Sequence, residues 1–164
     1  YKYSGRQEIT HKLLPGKNIF EAEIFTSGAP QYRSHFFQIH DGRSKGKPPS
    51  MVSVNKDWMI RNQHSIDCFK PNCKQLSYDS YLKPGERKNF KAEVEYINKE
   101  KKISAKYYLD GELIIQHLNV PLDTKKTDGP YGPNRPYIKI GMYRIGDTGT
   151  TTFSYNKIVL KNKR

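Results

Sequence analysis

The sequence predicts an all-β fold, a sandwich or jelly roll of two antiparallel sheets packed face to face, built as a single domain over residues 1–164. Three observations predict it. Period-two alternation of apolar and polar residues dominates the chain, no window of about a dozen residues keeps apolar positions at helical spacing, and turn formers interrupt the sequence at short intervals. A length of 164 residues is enough to bury a core without metal or disulfide staples, and too short for two full-sized domains.

In chain order the alternation marks strands at Asn18–Thr26, Arg33–His40, Pro49–Val54, Trp58–Gln63, Lys88–Ile97, Lys102–Leu109, Glu112–Leu118, Tyr137–Ile145 and Thr151–Leu160. Between them lie breakers such as Leu14-Pro15-Gly16, Ser27-Gly28-Ala29-Pro30, Lys47-Pro48-Pro49 and Lys83-Pro84-Gly85. Asp110-Gly111 joins two of these strands directly and predicts a tight hairpin, because a two-residue turn needs positive φ at both central positions. The stretch from Pro121 to Pro136, rich in Pro, Gly, Asp and Thr, has no strand character; it reads as a binding loop or as a plain surface excursion.

Lys and Arg number 29 against 16 Asp and Glu, a formal charge of +13, so the chain is drawn to polyanions. Charge alone does not say which polyanion. A hydrophobic content of 35% with 12% aromatic, including 12 tyrosines, separates the chain from disordered sequences despite a mean hydropathy of −0.87. Its apolar runs, such as Leu113–Ile115 and Ile158–Leu160, fall far short of the ~20 residues a membrane helix needs. The chain opens at Tyr1 without an apolar leader, which reads either as a removed leader or as a piece of a longer protein. Cys68 and Cys73 bracket the hexapeptide Cys-Phe-Lys-Pro-Asn-Cys, whose short loop suits a disulfide in an oxidising compartment; two free thiols are the other reading. A zinc site lacks a second Cys/His pair at ligand spacing.

Residues two apart in a strand share a face, so alternation sorts core from surface. In Tyr137-Ile-Lys-Ile-Gly-Met-Tyr143, Ile138, Ile140 and Met142 face the core, which puts Tyr137, Lys139, Gly141 and Tyr143 together on the opposite, exposed face. In Ser34-His-Phe-Phe-Gln-Ile-His40, Phe37 and Ile39 face the core while Gln38 and His40 point outward. Near the start, Arg6 and Glu8 share one face and Ile9 takes the other. Singly, a Gln, a His or a Tyr-Lys pair on an open sheet is ordinary solvated surface. In combination they are the ingredients of a site.

Gln38-Ile39-His40 and Tyr137-Ile-Lys-Ile-Gly-Met-Tyr143 resemble the Gln-Ile-His and Tyr-Phe-Lys-Ala-Gly-x-Tyr signatures of the alginate lyases of polysaccharide lyase family seven. Arg6-Gln-Glu8 is similar to the start of their Arg-x-Glu-x-Arg strand, with Thr10 where the second arginine would stand and Ile140 in place of Ala. Leu109-Asp110-Gly111 followed by Tyr137 to Arg144 resembles more closely the related glucuronan lyase and heparin-lyase-like group. The resemblance implies a concanavalin A-like jelly roll with a concave groove on one sheet. It also implies a secreted polysaccharide lyase that cleaves a glucuronan- or alginate-like uronate polymer by β-elimination.

Elimination removes a proton next to a carboxylate, so that carboxylate must be neutralised by donors that strengthen as charge develops. Gln38, backed by Arg6 and His40, suits that role. Tyr137 and His40 are the proton-transfer candidates, and Lys139 on the same face would stabilise a phenolate. By resemblance Tyr137 matches the general acid, in some substrates also the base, and His40 the base or charge neutraliser. Lys139, Tyr143, Glu8, Arg33, Arg61 and Lys106 are candidate substrate-binding residues. The chemistry requires no metal or other cofactor; Glu93, Glu95, Asp123 and Asp128 are carboxylates available to a structural calcium, though without calcium-loop spacing. The expected partner is an acidic polysaccharide, met by a monomer, with no membrane.

Other function classes fit less well. The same architecture hosts glucanases, but the Glu-x-Asp-x-x-Glu strand of such hydrolases is absent, although Glu21 and Glu23, or Glu93 and Glu95, share faces. A non-catalytic jelly-roll module for acidic glycans would carry the same charge and fold, and only Gln38, His40 and Tyr137 separate it from an enzyme. Nucleic-acid binding ranks third, because the positive residues are scattered through loops and no nucleic-acid motif is present.

Overall fold

Among the described residues alternation becomes eleven strands: β1 (Arg6–Lys12), β2 (Gly16–Ser27), β3 (Arg33–His40), β4 (Ser50–Val54), β5 (Ile60–His64), β6 (Lys74–Ser77), β7 (Arg87–Ile97), β8 (Lys102–Leu109), β9 (Glu112–Pro121), β10 (Tyr137–Ile145) and β11 (Thr152–Lys163). The computed structural model describes residues 6–28, 33–41, 48–64, 74–77, 79–122, 130–131, 135–145 and 152–163, with the backbone alone at 6–7, 33, 61–64, 74–77 and 142–145. Cys68 and Cys73 lie outside the described residues, as do Asp123 and Asp128.

The strands form two antiparallel sheets, a five-stranded one in the order β1-β10-β3-β4-β5 and a six-stranded one in the order β11-β2-β7-β8-β9-β6. Two strands escaped the sequence reading as full elements. β1 is an edge strand of mostly polar residues whose one isoleucine, Ile9, is 66% exposed, and β6 is only four residues long. Ile9 is the one apolar residue of β1, and four residues are too few for β6 to show a period. Among the described residues no helix is long and apolar enough to cross a membrane.

The core lies between the sheets and is organised around aromatic rings. Phe90 of β7 packs against Phe20, Phe36, Phe37 and Tyr107, at centroid distances of 6.1, 5.2, 5.4 and 6.2 Å. Each such pair contributes about 0.5–1.5 kcal/mol beyond the area it buries. The sheets are also joined by a buried polar cluster: Ser50 Oγ of β4 meets the Tyr107 hydroxyl of β8 at 2.5 Å and His117 Nδ1 of β9 at 2.8 Å, with all three residues at 0% exposure. A buried hydroxyl is tolerated in a core when it is hydrogen-bonded, and here one serine serves two partners.

The Asp110-Gly111 hairpin forms as expected, with φ of 51° and 87°, and Asp110 Oδ1 accepts the Asn89 backbone N–H at 2.8 Å. The outward face of the six-stranded sheet is laced with ion pairs, among them Lys17–Glu93, Lys91–Glu93 and Arg87–Glu23. Much of the positive charge on that face is thus locally matched.

A register irregularity decides which side chains reach the other sheet's outer face. Against β4, β3 advances two residues, His35 to Phe37, while its partner advances one, Ser53 to Val52. This β-bulge points two successive residues, Phe36 and Phe37, into the core, where both are fully buried. Tyr155 of β11 braces the bulge from the opposite sheet, its hydroxyl donating to the Phe36 carbonyl at 2.7 Å and lying 3.4 Å from the Gly141 carbonyl.

Candidate active site

Antiparallel register sets residues of β1, β10 and β3 side by side on one face. Lys12 pairs with Tyr137 and Tyr137 with His40; Thr10 pairs with Lys139 and Lys139 with Gln38; Glu8 pairs with Gly141. Directly opposed residues share a face, and the intervening Ile138, Ile140, Phe37 and Ile39 belong to the core. Gln38, His40, Tyr137, Lys139 and Glu8 therefore converge on the outer face of the five-stranded sheet, as alternation predicts.

They are not exposed, and this corrects the expectation of a wet face. Tyr137 is 1% exposed, Gln38 4%, His40 6% and Lys139 8%. Alternation reports the side of a sheet and is silent on depth. Here the polar side chains pack on one another: the His40 and Tyr137 rings stack with centroids 4.9 Å apart and planes 8° from parallel, and the Lys139 ammonium sits 5.9 Å from the centre of the Tyr137 ring. Gln38 Nε2 donates to Glu8 Oε1, Gln38 Oε1 lies 3.3 Å from His40 Nε2, and Lys139 Nζ pairs with Glu8 Oε2 at 3.7 Å. Glu8, expected to face substrate, holds Gln38 and Lys139 instead.

Two neighbours escaped the sequence reading. Tyr131, from the Pro-Gly-rich segment before β10, packs on Tyr137 at 5.7 Å and shares a 2.9 Å hydrogen bond with Thr10 Oγ1. A loop residue carries no periodic signal, so only the suspicion that this segment is a binding loop pointed toward it. His35 is the second. Strict alternation from Phe37 puts it in the core, but the β3 bulge turns it to the site face, opposite Tyr143 and Ser53, where it is 1% exposed. Adjacent phenylalanines at 36 and 37 were the available clue.

The remaining candidates divide. Lys106 is separated from the group: it is exposed on β8 of the six-stranded sheet, opposite Glu93 and Gln116, with the core between it and the site. Arg6 is placed by register opposite Tyr143, Arg33 opposite Ile145 and Arg61 opposite Ser53, and the side chains of these three arginines and of Tyr143 lie outside the described ones. Among the described residues no group of three or more His, Cys, Asp or Glu is arranged to hold a metal ion. Glu93 is drawn below the ordinary carboxylate range by hydrogen bonds from Lys17 and Lys91.

A family model described as polysaccharide lyase matches residues 19–159. The chain belongs to the polysaccharide lyase family. No curated protein matches it by sequence. Among solved structures it is similar to the alginate lyase AlgAT5 of polysaccharide lyase family 7, at 14% identity and a TM-score of 0.58, covering 95% of this chain and 63% of that one. It is similar also to an alginate lyase from Corynebacterium sp., at 14% identity and a TM-score of 0.60, covering 94% and 62%. The cellulose induced protein Cip1 matches at 17% identity and a TM-score of 0.56, covering 93% and 70%. At such identities the likeness establishes the jelly-roll fold, and the polysaccharide lyase chain spans less than two thirds of the two alginate lyases. Within this family's fold, the cluster of amide, imidazole, phenol and ammonium lies on one sheet face, a set able to bind a carboxylate and move protons beside it.

Proposed function

We propose that this polysaccharide lyase chain cleaves a uronic-acid polymer of the alginate or glucuronan kind by β-elimination, acting outside the cell and without a metal or other cofactor. The observation that carries the reading is the convergence of Gln38, His40 and Tyr137 on one sheet face, with the last two in ring contact. A uronate carboxylate binds beside Gln38, whose amide nitrogen carries two N–H groups, one given to Glu8 and the other to the substrate. As negative charge develops on that carboxylate the donor strengthens its hold, which lowers the barrier.

A base, His40 or Tyr137, takes the proton from C5. The C–H electron pair becomes the C4–C5 double bond, the C4–O bond breaks, and the departing glycosidic oxygen receives a proton from the Tyr137 phenol. The stacked contact suits this exchange, because both proton carriers must reach neighbouring atoms of one sugar ring. The formal charge of +13 serves capture of the polyanion.

The test is incubation with alginate, glucuronan, heparin and hyaluronan while following the ultraviolet absorbance of the conjugated, unsaturated uronate that elimination creates. The expected result is a rising signal on alginate or glucuronan. Binding to these polymers with no such signal on any of them would instead make the domain a non-catalytic module for acidic glycans.

A further inference from the structure

We propose that Glu8 and Lys139 are positioning residues that, acting through Gln38, fix the ring proton of His40 on Nε2 and so leave the basic lone pair on Nδ1. The argument is one of donors and acceptors. Lys139 Nζ lies 3.7 Å from Glu8 Oε2, and the two side chains are 10% and 5% exposed, an ion pair largely withdrawn from water. An ionised carboxylate only accepts hydrogen bonds. The group that Glu8 Oε1 meets on Gln38 must then be the NH₂ end of the amide, which settles an orientation that heavy atoms alone leave ambiguous.

With the amide nitrogen turned to Glu8, the Gln38 carbonyl oxygen is turned to His40 Nε2, 3.3 Å away. An amide oxygen only accepts, so Nε2 must donate, and a neutral imidazole that donates from Nε2 holds its lone pair on Nδ1. The stacked Tyr137 ring limits rotation of the imidazole out of this arrangement. The order of control runs from β10 to β1 to β3: Lys139, Glu8, Gln38, His40. The strand register that pairs Glu8 with Gly141 and Lys139 with Gln38 brings these links within reach of one another.

The catalytic consequence rests on the lyase reading: His40 would take or share the C5 proton through Nδ1. The tautomer itself does not rest on it, and the experiment separates the two. ¹⁵N spectra of the histidine-labelled chain, with His40 assigned by its absence in His40→Asn, distinguish protonated from unprotonated Nδ1 and Nε2 at a pH where the ring is neutral. The expected wild-type result is an Nε2-protonated ring. In Glu8→Gln the new amide can either donate or accept, so Gln38 loses its imposed orientation and His40 shifts toward a mixture of tautomers, while kcat on a cleaved polymer falls more than KM rises. Should Glu8→Gln fail to fold, Gln38→Leu removes the same acceptor and is expected to release the same mixture. An Nδ1-protonated His40 in the wild type, or a tautomer unchanged in the folded variant, overturns the proposal whatever the activity. A wild-type Nε2-protonated ring that becomes mixed in the variant, in a protein that cleaves nothing, upholds the positioning and removes the lyase reading alone.

Discussion

His40 lies face to face with Tyr137, ring centroids 4.9 Å apart and planes within 8° of parallel, at a position where β3 and β10 pair them directly. Stacking is a contact between ring faces that uses neither polar atom, so removing the phenolic hydroxyl leaves the ring contact in place. Tyr137→Phe is therefore expected to lower kcat by about 10²- to 10⁴-fold, the usual contribution of a positioned proton carrier. Polymer binding should stay near the wild type. Turnover measured by product absorbance alongside affinity electrophoresis checks this, and a Phe variant that retains full activity removes Tyr137 from the mechanism.

Gln38 contributes differently. Its amide is 4% exposed and is oriented by Glu8 on one side and His40 on the other, so it is a fixed donor rather than a flexible one. Fixed donors act most strongly where charge develops, and Gln38→Ala is expected to lower kcat by about 10²- to 10³-fold with a smaller change in KM. Steady-state kinetics on the preferred polymer test it. A loss confined to KM would mean that Gln38 binds the ground state and transition state equally.

How much of this was legible in the sequence depends on what alternation can encode. The faces of β3 and β10 were readable because Phe37, Ile39, Ile138 and Ile140 supply a buried apolar row that forces Gln38, His40, Tyr137 and Lys139 to the other side. Depth was not readable, since burial of the site face comes from polar groups packing on one another. His35 was not singled out, because a bulge adds one residue and reverses every side chain beyond it, which the alternation around Phe37 does not show. Tyr131 reaches the site from a loop, and Lys106 fell on the wrong sheet because no local pattern says which sheet a strand joins.

The hairpin at Asp110-Gly111 gives a stability test remote from the site. Gly111 has φ +87°, and a Cβ added there meets nothing within 4 Å, so Gly111→Ala brings backbone strain without a clash. The expected cost is about 1–2 kcal/mol, read from the midpoint of denaturant unfolding. Activity at a temperature where the variant is fully folded should be unchanged. A neutral or stabilising result would mean that the turn relaxes out of its positive φ.

Alkaline stability follows from two phenols, Tyr107 in the core and Tyr155 packed against it. Burial pushes the Tyr107 hydroxyl, bonded to Ser50, well above the ordinary tyrosine range, and burial does the same to Tyr155, whose hydroxyl donates to the Phe36 carbonyl at the β3 bulge. In the unfolded chain both lose their protons near the ordinary value of about 10; in the fold they keep them. Above that pH the native state holds more protons than the unfolded state, so their contribution is fully present below pH ~10 and is lost progressively as pH rises, at up to about 1.4 kcal/mol per pH unit for each phenol. Urea unfolding from pH 9 to 11 measures the slope. Tyr107→Phe and Tyr155→Phe should each flatten it, at the expense of some stability at neutral pH because Ser50 and the Phe36 carbonyl lose a partner. Tyr155→Phe should also reduce turnover, since the bulge it braces sets the register from which Gln38 and His40 reach the site face. An alkaline slope that neither substitution changes would mean that these phenols ionise in the native state as readily as in the unfolded chain.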